Sequence, residues 1–188
     1  MATSSKLTQG VSRVPEDVFI EDGLTVDSGG LTVTAGTTTL GGSFIRDVVT
    51  LTADTTLTNA NHAGRILLMG EVGGDAAATF TLPAATGSGA EFQFIVSVVN
   101  TSNYKIQVAD ATDTIDGSVI LHQDGGNTVI SFNTVAASDT ITLDGTTTGG
   151  VSIGDELTLV DIATNQYTVK GVLTASGTEA TPFSAAVS

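Results

Sequence analysis

The side chains able to do acid–base or metal chemistry are few in this chain, and they are scattered. It has two histidines, His62 and His122, and no cysteine. A Ser–His–Asp relay needs a hydroxyl and an orienting acid around one of these histidines. Serine and aspartate are plentiful, but neither histidine stands in a nucleophile elbow or in a metal-ligand spacing. His62, in NANHAG, falls in a turn, and His122 closes a strand; both read as surface or hydrogen-bonded histidines. The lack of cysteine excludes disulfides, thiolate zinc sites and a cysteine nucleophile. The densest carboxylate group is Asp110, Asp113 and Asp116 in ADATDTIDGS. Oxygen-rich loops hold calcium, yet this spacing of three matches neither an EF-hand nor the glycine-rich calcium repeats. The three aspartates read as turn formers and solubilising charges, with a cation at a subunit interface as the alternative. Sugar hydrolysis by paired carboxylates calls for an aromatic-lined groove, and the chain has no Trp and 5% aromatic residues. No GxxxxGK[ST] is present, and no GxGxxG lies between a strand and a helix. The expectation is therefore a non-enzyme, with no catalytic residues, no cofactor and no metal.

Charge narrows the partners. Six Lys plus Arg stand against twenty Asp plus Glu, a net charge of −14. Phosphate backbones and anionic membranes both need clustered cations, so neither nucleic acid nor membrane is expected as a partner. An acidic surface keeps a β-rich chain soluble and discourages edge-to-edge pairing. The alternative is attraction to a basic partner surface or to cations. Charged residues make up 14% of the chain, about half the usual share. The N-terminus, MATSSKLTQGVSRVPEDVF, contains no apolar h-region. No run approaches the ~18 apolar residues of a membrane helix. Synthesis in a cytoplasm, with exit by lysis if at all, is the expected localisation.

The elements that must position these residues are strands. Hydrophobic residues at 40% supply a core, and 22 glycines supply turns. Residues 1–20 read as an extended arm broken at Pro15 and ending in the apolar anchor Val18-Phe19-Ile20. Residues 21–43 form a short repeat, EDGLTVDSGGLTVTAGTTTLGG. In it Leu24/Val26 and Leu31/Val33 fall on one face, and Gly29-Gly30, Gly36 and Gly41-Gly42 stop each run. Such short units gain stability by stacking on neighbours. Val14, Val18, Phe19, Ile20, Leu24, Val26, Leu31 and Val33 are accordingly expected to form an assembly interface. Residues 44–188 read as one β-sandwich domain. Strands are expected at 44–45, 48–52, 65–69, 78–82, 92–99, 104–108, 118–121, 128–132, 140–143, 156–162 and 166–173, with one helical turn within 59–64. Phe92, Phe94, Val96 and Val98 should share the buried face of a central strand. The last two strands should form a hairpin across Ala163-Thr164-Asn165. The fold class is all-β: an antiparallel sandwich or jelly-roll-like domain behind an arm and a connector.

Residues 50–120 also carry a resemblance. Thr50-Leu51-Thr52 and Thr55-Thr56-Leu57-Thr58 lead to His62-Ala63-Gly64-Arg65-Ile66-Leu67-Leu68. Phe80-Thr81-Leu82-Pro83-Ala84-Ala85, a turn at Gly87–Gly89, Phe92-Gln93-Phe94-Ile95-Val96 and Asp113-Thr114-Ile115-Asp116-Gly117 come after them. This grammar resembles the β domains of tailed-phage virion proteins, including capsid decoration (cement) proteins and head or tail fibres. The segment TVTAGTTTLGG is similar to phage fibre shafts. The resemblance implies a symmetric oligomer such as a homotrimer, with the major capsid protein as partner, a place on the capsid surface of the virion and no catalytic residues. A tail-fibre or receptor-binding role is the alternative it implies.

Overall fold

A computed structural model describes residues 42–70, 77–99 and 101–187. The chain divides after Phe44, and the unit that begins at Ile45 carries every described strand. The expected assembly residues Val14 to Val33 lie outside the described residues. Twelve strands and one short helix are described. In chain order they are β1 (Val48–Leu51), β2 (Thr55–Thr56), α1 (Asn59–His62), β3 (Ile66–Met69), β4 (Ala78–Thr81), β5 (Glu91–Val96), β6 (Tyr104–Gln107), β7 (Thr114–Gln123), β8 (Val129–Asn133), β9 (Thr140–Leu143), β10 (Glu156–Ala163), β11 (Gln166–Ala175) and β12 (Phe183–Ser184).

The strands form two sheets, one of seven strands in the order β1-β3-β5-β10-β11-β7-β8 and one of five in the order β12-β9-β6-β4-β2. The all-β, sandwich-like expectation holds. The sheets are mixed, however, rather than antiparallel throughout. From β1 to β6 the chain alternates between sheets, odd strands in one and even strands in the other. Every pairing within that stretch is parallel: β1 with β3, β3 with β5, β2 with β4 and β4 with β6. A parallel neighbour requires a crossover. Here the crossover runs through the opposite sheet, so the chain winds as a flattened coil. Antiparallel pairs then complete both sheets, and the ten-residue parallel pairing of β7 with β11 is the longest register in the fold.

Period-two alternation builds the core between the sheets. In β5, Phe92, Phe94 and Val96 are fully buried, while Glu91, Gln93 and Ile95 face out. Leu157 and Leu159 of β10 and Tyr167, Val169 and Leu173 of β11 continue that inner face. Phe80, Tyr104, Ile106, Ile141 and Leu143 oppose it from the five-stranded sheet. Phe80 stacks on Phe94 between the two sheets with centroids 6.2 Å apart, and within the seven-stranded sheet Phe92 meets Tyr167 edge-on at 6.4 Å. The Tyr104 hydroxyl donates across the sandwich to the Gly70 carbonyl at 3.0 Å.

Val98, expected on the buried face with Phe92, is exposed instead. Strand β5 ends at Val96, whose N–H turns to the carbonyl of Asp155. Two glycines are required by close approach. At Gly117 of β7 (φ +146°) a Cβ would fall 2.0 Å from the Val169 carbonyl oxygen. At Gly171 of β11 it would fall 2.5 Å from Leu157 Cδ2.

Candidate functional site

The structure separates the two histidines and gives neither a catalytic setting. His62 ends α1 and caps it: its Nδ1 accepts the Thr58 N–H at 3.0 Å, while Thr58 Oγ1 accepts from Asn61 N–H. This is a reciprocal cap of the kind that closes a helix start. His122 stands exposed on β7, opposite Thr174 of β11 and Val129 of β8. Among the described residues, neither imidazole is hydrogen-bonded to an acid.

The three clustered aspartates also part company. Asp110 closes a local turn by accepting the Thr112 hydroxyl and N–H, which lower its carboxyl pKa. Asp116 accepts Gln166 Nε2 at 2.7 Å. Asp113 turns inward and accepts the Ala85 N–H at 3.1 Å. No group of three or more His, Asp or Glu among the described residues is placed to hold a metal ion.

The carboxylates with the densest contacts are Asp161, Asp144 and Asp139, all outside the ADATDTIDGS cluster. Asp161 of β10 accepts the N–H groups of Thr86, Gly87 and Ser88 and the hydroxyls of Thr86 and Ser88, at distances from 2.6 to 3.2 Å. It clamps the loop that carries the chain from β4 to β5. Burial opposes its charge, but the Ser88, Gly87 and Thr86 donors outweigh burial and hold its carboxyl down at about 2. The same loop is held by Asp113 at Ala85 and by the Tyr167 hydroxyl, which donates to the Pro83 carbonyl at 2.9 Å. Burial raises Asp113 above the usual carboxylate range; the Ala85 N–H opposes this, and the charges of Asp110 and Asp161 add to it. Tyr167 is raised by burial and then by Asp161 and Asp113.

Asp155 holds a second junction. It accepts the N–H groups of Gly150 and Thr174, and burial raises it despite them. Asp139 accepts those of Ala186 and Val187 and fastens the C-terminal segment. In Asp144, burial is outweighed by donors from Thr148, Thr146 and Thr147, which hold the carboxyl at about 2. A sequence signal for most of these exists. Asp113 precedes Ile115, Asp139 precedes Ile141, and Asp155, Leu157, Leu159 and Asp161 form one alternating row. Each acid lies in phase with buried neighbours, where a carboxylate needs partners. Each of these carboxylates ties down a loop or chain segment through backbone N–H donors.

What remains available is surface. Strand β8 ends the seven-stranded sheet, and four of its five residues are exposed. Val129 is 61% exposed and Val135, just beyond the strand, 70%. No charged residue occurs from Gly125 to Ser138, so the edge lacks the charges and prolines that usually blunt one. At the opposite edge Val48 of β1 is also exposed. On the outer face of the same sheet, β7, β10 and β11 form an open concavity of about 290 Å³ around Ile120, Val172, Glu156 and Lys170. Comparison with family models, with curated proteins and with solved structures finds no match for this chain.

Proposed function

We propose that the chain is a non-enzymatic structural protein of a tailed-phage virion. In this reading it decorates the capsid surface and stabilises it by binding the major capsid protein lattice and further copies of itself. The observation that carries the reading is the sequence grammar of residues 50–120. The all-β fold supports it. So does the distribution of side chains: the acids with most partners hold loops, while apolar side chains stand exposed at the strand edges. Such edges suit strand addition and apolar burial, which spread modest energies over many copies. The arm and repeat at residues 1–43 would supply further contacts to capsid subunits. The test is particle biochemistry. Purified virions should contain the protein over the head, and virions lacking it should lose resistance to heat or osmotic shock. Particles without the protein, or particles that lose it with no change in resistance, would overturn the reading. Label confined to the tail would favour the receptor-binding alternative.

A further inference from the structure

The dipeptide Asp–Gly can rearrange on its own, because glycine puts no side chain between its nitrogen and the preceding carboxyl. It occurs at Asp22–Gly23, Asp116–Gly117, Asp124–Gly125 and Asp144–Gly145, the first of which lies outside the described residues. The fold treats the other three differently. The Asp144 carboxylate accepts the N–H groups of Thr146 and Thr148 and the Thr147 hydroxyl at 2.8 to 2.9 Å, and the Gly145 N–H donates to the Gly149 carbonyl at 3.0 Å. The Asp116 carboxylate accepts Gln166 Nε2 at 2.7 Å, and the Gly117 N–H donates to Thr134 Oγ1 at 2.9 Å. Both of those residues also sit inside β7, in register with β11. Asp124–Gly125 stands exposed in the turn from β7 to β8. Among the described residues the Asp124 carboxylate accepts no hydrogen bond and forms no ion pair, and the Gly125 N–H has no acceptor. Gly125 takes a left-handed φ of +68°, and no atom lies within 4 Å of where its Cβ would stand.

We propose that Asp124–Gly125 is a spontaneous modification site, at which the folded chain converts aspartate into isoaspartate and thereby loosens the edge strand β8. The Gly125 nitrogen attacks Cγ of the protonated Asp124 carboxyl. A C–N bond forms, the carboxyl hydroxyl leaves as water together with the amide proton, and a five-membered succinimide results. Water then reopens the ring. Attack at Cγ restores aspartate; attack at the main-chain carbonyl breaks its bond to nitrogen and leaves the chain running through Cγ. One water is lost and one regained, so no other reactant is needed. The step requires a protonated carboxyl and an amide nitrogen that main-chain rotation can bring together. Asp116 and Asp144 meet neither condition readily, since their carboxylates and the following N–H groups are both held. At Asp144 burial is outweighed by the threonine donors, which hold the carboxyl at about 2 against 3.8 ordinarily; this lowers its protonated fraction by more than about tenfold. The product bears on β8 directly. The Gln123 N–H donates to the Thr128 carbonyl at 3.0 Å and closes the turn, and isoaspartate adds one carbon to the main chain within it. Strand β8 has β7 as its one neighbour in the sheet, so a lengthened turn frays the end of its single ladder. The proposal does not depend on the virion reading.

The experiment ages the full chain at pH 5 and 37 °C for several weeks, folded in one arm and unfolded in guanidinium in the other. Peptides are then mapped by mass spectrometry with electron-transfer fragmentation, which distinguishes isoaspartate from aspartate. In the folded arm Asp124 should accumulate isoaspartate at least about tenfold faster than Asp116 or Asp144, whose bonded groups must first open. In the unfolded arm the three positions should react at similar rates, which shows that the fold and not the dipeptide sets the difference. Hydrogen exchange on the aged, folded chain should be faster across Val129–Asn133 than in fresh protein, and Asp124→Glu should remove both changes. A folded chain that forms no isoaspartate at Asp124, or that forms it equally at Asp116 or Asp144, overturns the proposal. Isomerisation at Asp124 that leaves exchange across β8 unchanged overturns the claim that this turn holds the edge.

Discussion

At the scale of single residues, aspartate does two opposite things in this fold. Asp161 is charged because five donors converge on it; Asp113 is buried near other acids with one backbone donor. Asp161→Ala should therefore destabilise the protein by about 3 kcal/mol, since it orphans donors to a charged group. Asp113→Asn keeps an acceptor for the Ala85 N–H and removes the repulsion, so it should change stability by less than about 1 kcal/mol or raise it. Urea titrations at pH 7 distinguish the two. The pH dependence follows by sign. Asp161 and Asp144, both held near 2, contribute stability above their unfolded value of 3.8, and it is lost as pH falls from about 4 towards 2. Asp113 and Asp155, both raised, contribute stability below 3.8 that is lost as pH rises through their folded values. Asp161→Asn should thus flatten the acid limb of a Tm-against-pH curve, and Asp155→Asn should steepen it. These roles were only half legible in the sequence. The phase of each acid with its apolar row was readable, but its partners lie as far as 75 positions away, beyond the reach of local spacing. Asp110, Asp113 and Asp116 show the converse: close in sequence, they face three different partners.

At the scale of elements, strand existence was the most legible property, because alternation reports burial of one face directly. The β10–β11 hairpin lies where the pattern puts it, turning at Asn165 with φ 63°, while β5 keeps its expected core residues Phe92, Phe94 and Val96 but ends at Val96, short of the expected Val99. Strands β2 and β12, two residues each, are too short to show a period. Parallel pairing was illegible for a different reason: a strand buried on one face alternates in the same way whichever direction its neighbour runs. The glycines carry an element-level prediction. Gly117→Ala pushes a methyl group into the Val169 carbonyl and must shift β7 against β11. A loss of at least about 2 kcal/mol is expected, read by chemical denaturation. Gly125→Ala, in the exposed β7–β8 turn with no atom near its Cβ, carries only the penalty of its positive φ, about 1 kcal/mol.

At the scale of the whole molecule, one core serves both sheets. Phe94 touches Phe80 across it, and buried residues of every long strand join the same cluster. Phe94→Ala should cost about 3–5 kcal/mol. Tyrosine fluorescence and far-ultraviolet dichroism should still report a single shared transition, because neither sheet retains a core without the other. Two separated transitions would contradict the shared core. The winding of β1 to β6 has a mechanical consequence. Strand β1 is the outermost strand of one sheet and β2 the outermost strand of the other, so the first turn of the coil holds on by two short ladders. The ten-residue β7–β11 register lies inside the seven-stranded sheet, flanked by β8 on one side and β10 on the other. Tension applied between Ile45 and Val187 should peel β1 and β2 away at low force, turn by turn, in the manner of a zip. The parallel β7–β11 ladder resists in shear, with its bonds loaded together, and should give the highest rupture peak in a single-molecule extension trace. A chain built this way yields gradually at one end while its middle holds.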